Sequence, residues 1–123
     1  MRRVYIIEDD ESVNRALARL LRSAGFDTRI FASVEAFTAS GIGSGSGCVL
    51  ADIQMSGCGG LELPERLQRI GRQLPVIFLT AEDTDTARTA ARRPGAAGYF
   101  RKPVDDQALI DAIEWAMVNG RSD

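Results

Sequence analysis

An α/β fold built on one doubly wound parallel sheet is what this sequence predicts, on three observations. Five short apolar, β-branched runs alternate with five helical patterns from end to end, the order that right-handed βαβ crossovers produce. The 123 residues, 45% hydrophobic and 26% charged, suffice for one core and leave no room for a second domain. Four of the five apolar runs give way at their carboxyl ends to polar or charged residues, and the carboxyl edge of such a sheet is where ligands bind.

The elements follow in order. Val4, Tyr5, Ile6 and Ile7 form the first strand. Residues 12–24 place Val13, Leu17, Leu20, Leu21 and Ala24 on one helical stripe, and Gly25 ends that helix. Residues 28–31 are a second strand, and Ser33 caps a short helix reaching about Ala39. The glycine- and serine-rich stretch 41–47 is a loop. Cys48, Val49, Leu50 and Ala51 form a third strand ending at Asp52, and a glycine-rich turn over 55–60 follows. Residues 61–70 are a helix that tolerates Pro64 because it falls in or near the first turn. Residues 76–79 are a fourth strand ending at Thr80. The helix over 84–93 faces inward with Ala87, Ala90 and Ala91, and Pro94-Gly95 closes it. Tyr99, Phe100 and Arg101 form a short fifth strand. The last helix, 106–118, buries Leu109, Ile110, Ile113, Ala116 and Met117 and leaves Trp115 on its far side.

Composition excludes several function classes. The chain has no histidine, which removes Ser-His-Asp and Cys-His catalysis, His-ligated zinc and a phosphohistidine carrier role. Cys48 and Cys58 match neither C-x-x-C nor a zinc spacing and read as reduced thiols of a cytoplasmic protein. The longest apolar runs fall far short of the ~20 residues that span a bilayer, so no membrane contact is expected. Met1-Arg2-Arg3 opens like a signal peptide, but acids follow the short apolar run at once. Fifteen basic against seventeen acidic residues, with no dominant basic patch, argue against direct nucleic-acid contact.

The chemistry gathers at strand ends. Glu8-Asp9-Asp10-Glu11 follow the first strand, Asp52 the third, Thr80 the fourth and Lys102 the fifth, while the second ends blandly in Phe31-Ala32. That pattern puts the second strand at an edge and predicts order 2-1-3-4-5, a flavodoxin-like (βα)5 sheet with its site between strands one and three. Asp9, Asp10 and Asp52 then converge, and three like charges so placed call for a hard divalent cation such as Mg²⁺. Lys102 supplies a positive point charge and Thr80 a hydroxyl, the groups needed around a phosphoryl oxygen. A lone Asp52 among them is a carboxylate nucleophile for a phosphoryl group.

Each residue also has an ordinary reading. Asp10 or Glu11 can cap the first helix, worth about 0.5–2 kcal/mol. Asp52 can end a strand, Thr80 can serve β-propensity, and Lys102 can be solvated. It is their joint placement that favours a site. A flavodoxin-like cofactor binder would need glycines or hydroxyls where the four acids stand, and the 41–47 loop does not fit G-x-G-x-x-G. An aspartyl phosphatase would want a second acid where Gln54 stands.

Four motifs therefore stand in order: Ile7-Glu8-Asp9-Asp10-Glu11, Leu50-Ala51-Asp52-Ile53-Gln54-Met55, Thr80-Ala81, and Tyr99-Phe100-Arg101-Lys102-Pro103. With them the chain resembles the receiver domain of two-component response regulators from Val4 to about Met117. The resemblance implies that Asp52 accepts a phosphoryl group from a sensor histidine kinase or phosphotransfer protein. It implies that Asp9, Asp10, Asp52 and the Gln54 backbone carbonyl hold Mg²⁺, and that Lys102 binds phosphate, with Lys102-Pro103 at the position of the family's usual cis peptide. Thr80 and Tyr99 match the coupled switch pair, and Gln54 and Glu82 the positions that tune phosphate lifetime. Residues 16–36 most resemble receivers attached to LuxR-type helix-turn-helix output domains.

Such a domain catalyses its own phosphorylation and dephosphorylation and is a switch, not a turnover enzyme. A pseudo-receiver that keeps only the fold is the closest rival, and retention of Asp9, Asp10, Asp52, Thr80 and Lys102 argues against it. The switching face is expected on the 84–93 helix, the fifth strand and the last helix, where Arg88, Arg92 and Arg101 can meet Asp111 and Glu114 of a second copy. Three departures stand out: Ser56 where the family has proline, Pro64 at the start of its helix, and Pro94 before Gly95. Arg15, Arg19 and Arg22 form a basic stripe that reads first as a solvated face. Only six residues follow Met117, so residues 1–123 read as one receiver domain whose transcriptional output lies elsewhere.

Overall fold

The computed structural model describes residues 2–40, 47–53, 60–71, 74–92 and 96–119. Five parallel strands, β1 (Arg3–Ile7), β2 (Asp27–Phe31), β3 (Gly47–Asp52), β4 (Val76–Thr80) and β5 (Gly98–Arg101), form one sheet in the order β2-β1-β3-β4-β5. The helices are α1 (Glu11–Ser23), α2 (Val34–Ala39), α3 (Leu63–Arg69), α4 (Asp85–Arg92) and α5 (Asp106–Asn119). Both the order and the alternation are those the sequence predicts.

The strands read as unbroken apolar runs because both faces of the sheet are covered. Period-two alternation then splits each strand between two cores. Val4, Ile6, Cys48, Leu50, Ile77 and Leu79 face Ala18 and Leu21 of α1 and Leu109, Ile113 and Ala116 of α5. Tyr5, Ile7, Val49, Ala51, Val76 and Phe78 face Val34, Phe37, Leu63, Leu67 and Ala91 on α2, α3 and α4. Trp115 is 59% exposed, on the far side of α5 as its spacing predicts.

Local chemistry sets the element ends. Ser33 caps α2 by accepting from Ala36 N at 3.0 Å, and Gly25, at φ 93, takes the left-handed turn after α1. Pro64 sits in the first turn of α3, after a 3₁₀ turn over Gly60–Glu62, so the α-helix begins later than the predicted 61. Proline removes no helical hydrogen bond there. Gly47, expected in the loop, is instead the first residue of β3: a Cβ at that position would lie 3.0 Å from the Arg3 carbonyl and 3.1 Å from the Tyr5 ring. The buried line of α1 is Asn14, Ala18 and Leu21, flanked by Leu17, Leu20 and Ala24. That face is centred on an amide that the apolar stripe does not include. Gln54, Ser56, Cys58 and Arg93-Pro94-Gly95 lie outside the described residues. No helix among the described residues is long and apolar enough to cross a membrane.

Candidate functional site

β1 and β3 run side by side with Ile7 level with Ala51, so Glu8 and Asp52 leave the sheet as neighbours. Glu8 is 2% exposed and Asp52 6%, whereas Asp9 is exposed. Glu8, Asp9 and Asp52 each offer a carboxylate oxygen within 4.8 Å of the other two. Lys102 reaches them from beyond β5, where its backbone N–H donates to the Thr80 carbonyl at 2.7 Å. Its Nζ lies 2.5 Å from Glu8 Oε1 and 3.4 Å from Asp52 Oδ2. The Lys102–Pro103 peptide is cis.

Burial pushes the Glu8 carboxyl above its ordinary value and the charge of Asp52 adds to this, against the opposing pull of Lys102 and the Asp10 N–H. Burial by itself would lower Lys102, but its bonds and attraction to Glu8 and Asp52 outweigh that and raise it. Lys102 therefore stays a cation, set against three carboxylates. Beneath the cluster, Asn14 is 7% exposed and its Nδ2 donates to the Glu8 carbonyl at 2.8 Å. That bond fixes the turn from which Glu8 projects.

The sequence pairs Asp9 with Asp10, whereas the structure gathers Glu8 with Asp9 and Asp52. Asp10 is the N-cap of α1, and its Oδ1 accepts from Ser12 N at 2.8 Å and Val13 N at 3.2 Å. The helix begins at Glu11, and its unpaired N–H groups draw the Asp10 carboxylate away from the cluster. A start placed at residue 11 instead of 12 would have marked Asp10 as the cap and left Glu8 and Asp9 as the pair.

Thr80 is fully buried, and its hydroxyl donates to the Glu82 carbonyl at 2.9 Å and accepts from Glu82 N at 3.1 Å. Tyr99 donates its hydroxyl to Asp83 Oδ1 at 3.2 Å. The two expected switch residues thus both engage the connection between β4 and α4. Gln54 lies outside the described residues, and Glu82 is exposed beside Thr80. Burial pushes the Cys48 thiol up to about 12, which makes it an inert packing group. The donor set of Glu8, Asp9 and Asp52 is all oxygen and carries more negative charge than Lys102 neutralises, which fits a hard divalent cation.

Residues 4–114 match the family described as the response regulator receiver domain. Over 119 residues the chain is 36% identical to the transcriptional regulatory protein FixJ of Azorhizobium caulinodans, covering 97% of this chain and 56% of that protein. It is 35% identical over 118 residues to the transcriptional regulatory protein TdiR of Thauera aromatica, covering 96% and 52%. Among solved structures it is similar to FixJ-N, at a TM-score of 0.89 and 30% identity over 97% of this chain and 95% of that one. The response regulator StyR gives 0.82 and 36%, over 95% and 59%. The chain spans about half the length of the curated relatives it matches.

Proposed function

The chain belongs to the response regulator receiver family, and from that membership we propose that Asp52 is its phosphoacceptor, with Lys102, Thr80 and the acids at the end of β1 serving the transfer. The observation that carries the reading is the lysine just beyond β5: Lys102 Nζ lies 2.5 Å from Glu8 and 3.4 Å from Asp52, beside a three-carboxylate cluster. A receiver is a phosphorylation-dependent signalling module whose partner is a sensor histidine kinase. An Asp52 oxygen forms the new P–O bond as the donor's P–N bond breaks, and the imidazole leaves with the electron pair. Lys102 is close enough to exchange Glu8 for a phosphoryl oxygen without leaving Asp52.

Glu8, Asp9 and Asp52, together with the Gln54 carbonyl that the family resemblance adds, would hold Mg²⁺, which would supply positive charge to the incoming phosphoryl oxygens. Asp10 takes no part in that set and instead anchors the helix beside it. The buried Thr80 hydroxyl, turning from Glu82 toward the phosphoryl group, would begin the surface change, with Tyr99 following. That change would spread across α4, β5 and α5. Phosphate lifetime would be tuned from Gln54 and Glu82, and a phosphotransfer protein could replace the kinase as donor. Transcriptional output would come through sequence beyond residues 1–123, taken as one receiver domain, in keeping with the names of the longer relatives.

Incubation with acetyl phosphate and Mg²⁺ should add one phosphoryl group, detected by intact-protein mass. Asp52→Asn should abolish it and a chelator should suppress it. Equal incorporation in Asp52→Asn would refute the assignment, and an unchanged rate in the chelator would refute the metal's role.

A further inference from the structure

Asp83 lies three residues beyond Thr80 and joins two elements that otherwise share little. Its Oδ1 accepts from Arg88 Nε of α4 at 2.7 Å and from the Tyr99 hydroxyl of β5 at 3.2 Å, and its Oδ2 accepts from a second nitrogen of Arg88. The pair is therefore a two-point guanidinium–carboxylate contact with a phenol added to one oxygen. The Asp83 side chain is 14% exposed, against 52% for Arg88, so the carboxylate is the fixed partner and the arginine folds over it. Next to it, Thr84 caps α4 by accepting from Ala87 N at 3.0 Å.

Two further observations give this contact weight. Ala91 is the buried residue of α4, so the helix has little apolar grip on the sheet and depends more on polar ties. A cavity of about 410 Å³, lined by Asp83, Arg88, Ala91, Arg92, Tyr99 and Arg101, opens beside the ring, so Tyr99 has space to move once its bond is released. Arg88 holds the Asp83 carboxyl below its ordinary range, which keeps the acceptor charged.

We propose that Asp83 is a positioning residue that holds Tyr99 and α4 in the unphosphorylated arrangement, one carboxylate bridging a helix arginine and a strand tyrosine. The proposal rests on the reading of Thr80 and Tyr99 as the switch pair. The route from the phosphoryl site is short. Drawing the Thr80 hydroxyl toward Asp52 breaks both of its bonds to Glu82, displaces the backbone adjoining Asp83, and loosens Tyr99 and Arg88 together.

The test uses the full chain, unphosphorylated and loaded with beryllofluoride, with the Tyr99 ring signal and amide exchange across Asp85–Arg92 followed by NMR. Asp83→Asn and Arg88→Gln should each move the ring signal from its wild-type position and raise exchange about three- to fivefold, the scale of one well-formed surface pair. Arg92→Gln, which removes a charge from the same cavity but no bond to Asp83, should change neither in the unphosphorylated protein. An unmoved ring and unchanged exchange in both test variants would overturn the proposal, as would an equal response in Arg92→Gln. A wild-type ring that responds to beryllofluoride but to neither variant refutes the bridge and keeps the switch reading. A ring that responds to the variants but not to beryllofluoride keeps the bridge and refutes the switch reading.

Discussion

Asn14 shows how a residue outside the chemistry can set its geometry. Its amide is buried within α1 and donates to the carbonyl of Glu8, the acid that stands closest to Lys102. Asn14→Ala leaves that carbonyl buried without its donor, at a cost of about 1–3 kcal/mol. The expected outcome is a lower urea midpoint together with weaker Mg²⁺ binding by calorimetry. Asp83 gives the pH dependence. Its folded value is depressed below the ordinary 3.8, chiefly by the bond from Arg88, so its contribution to stability is present above 3.8 and is lost as pH falls through the folded value. The stability difference between wild type and Asp83→Asn should therefore hold from neutral pH down to 3.8 and shrink below it, as urea midpoints would show. At this scale Asp52, Thr80 and Lys102 were legible because each stands where a run gives out. Four consecutive acids carry no such mark, and it is packing that gathers Glu8 and Asp9 at Asp52 while Asp10 caps α1.

Among the elements, α4 is the one whose sequence foretells weak attachment. Its inward residues are alanines, and of these Ala91 is the buried one. Alanines bury little area at ~25 cal/mol per Å². Amide exchange across Asp85–Arg92 in unphosphorylated protein should be faster than in α1, and should rise further when beryllofluoride on Asp52 releases the Asp83 bridge. Exchange as slow as in α1 and indifferent to the mimic would place the switch elsewhere. The other helices were legible by periodicity, and their starts were less so. Pro64 pointed to a first turn without showing that a 3₁₀ turn precedes it, and the apolar stripe of α1 missed the buried amide, because a polar residue with a backbone partner does not register as core.

For the whole molecule, two cores on opposite faces of one sheet make stability cooperative. Ile113 is fully buried, and Ile113→Ala should lower the unfolding free energy by about 2–5 kcal/mol. Association of phosphorylated copies across α4, β5 and α5 is the expectation to test by sedimentation with and without beryllofluoride. Three of the charges assigned to that face already have internal partners: Arg88 holds Asp83, Arg2 reaches Glu114 at 3.2 Å, and Gln107 donates to Asp111 at 2.8 Å. Dimerisation must exchange these ties for intermolecular ones, so it should appear only in the loaded state and weaken with salt.

The sequence by itself determined the α/β class, the strand order and the strand ends at which chemistry gathers. Those follow from local periodicity and from where apolar runs stop, and neighbouring residues alone decide both. Only the tertiary structure decided which acid faces Asp52, that Gly47 belongs to β3, and that Asp83 joins Arg88 to Tyr99. Each of these depends on how one element lies against another: β1 against β3 with α1 drawing off Asp10, β3 against the Arg3 carbonyl, and α4 against β5. Contacts between segments far apart in the chain leave no periodic trace in it.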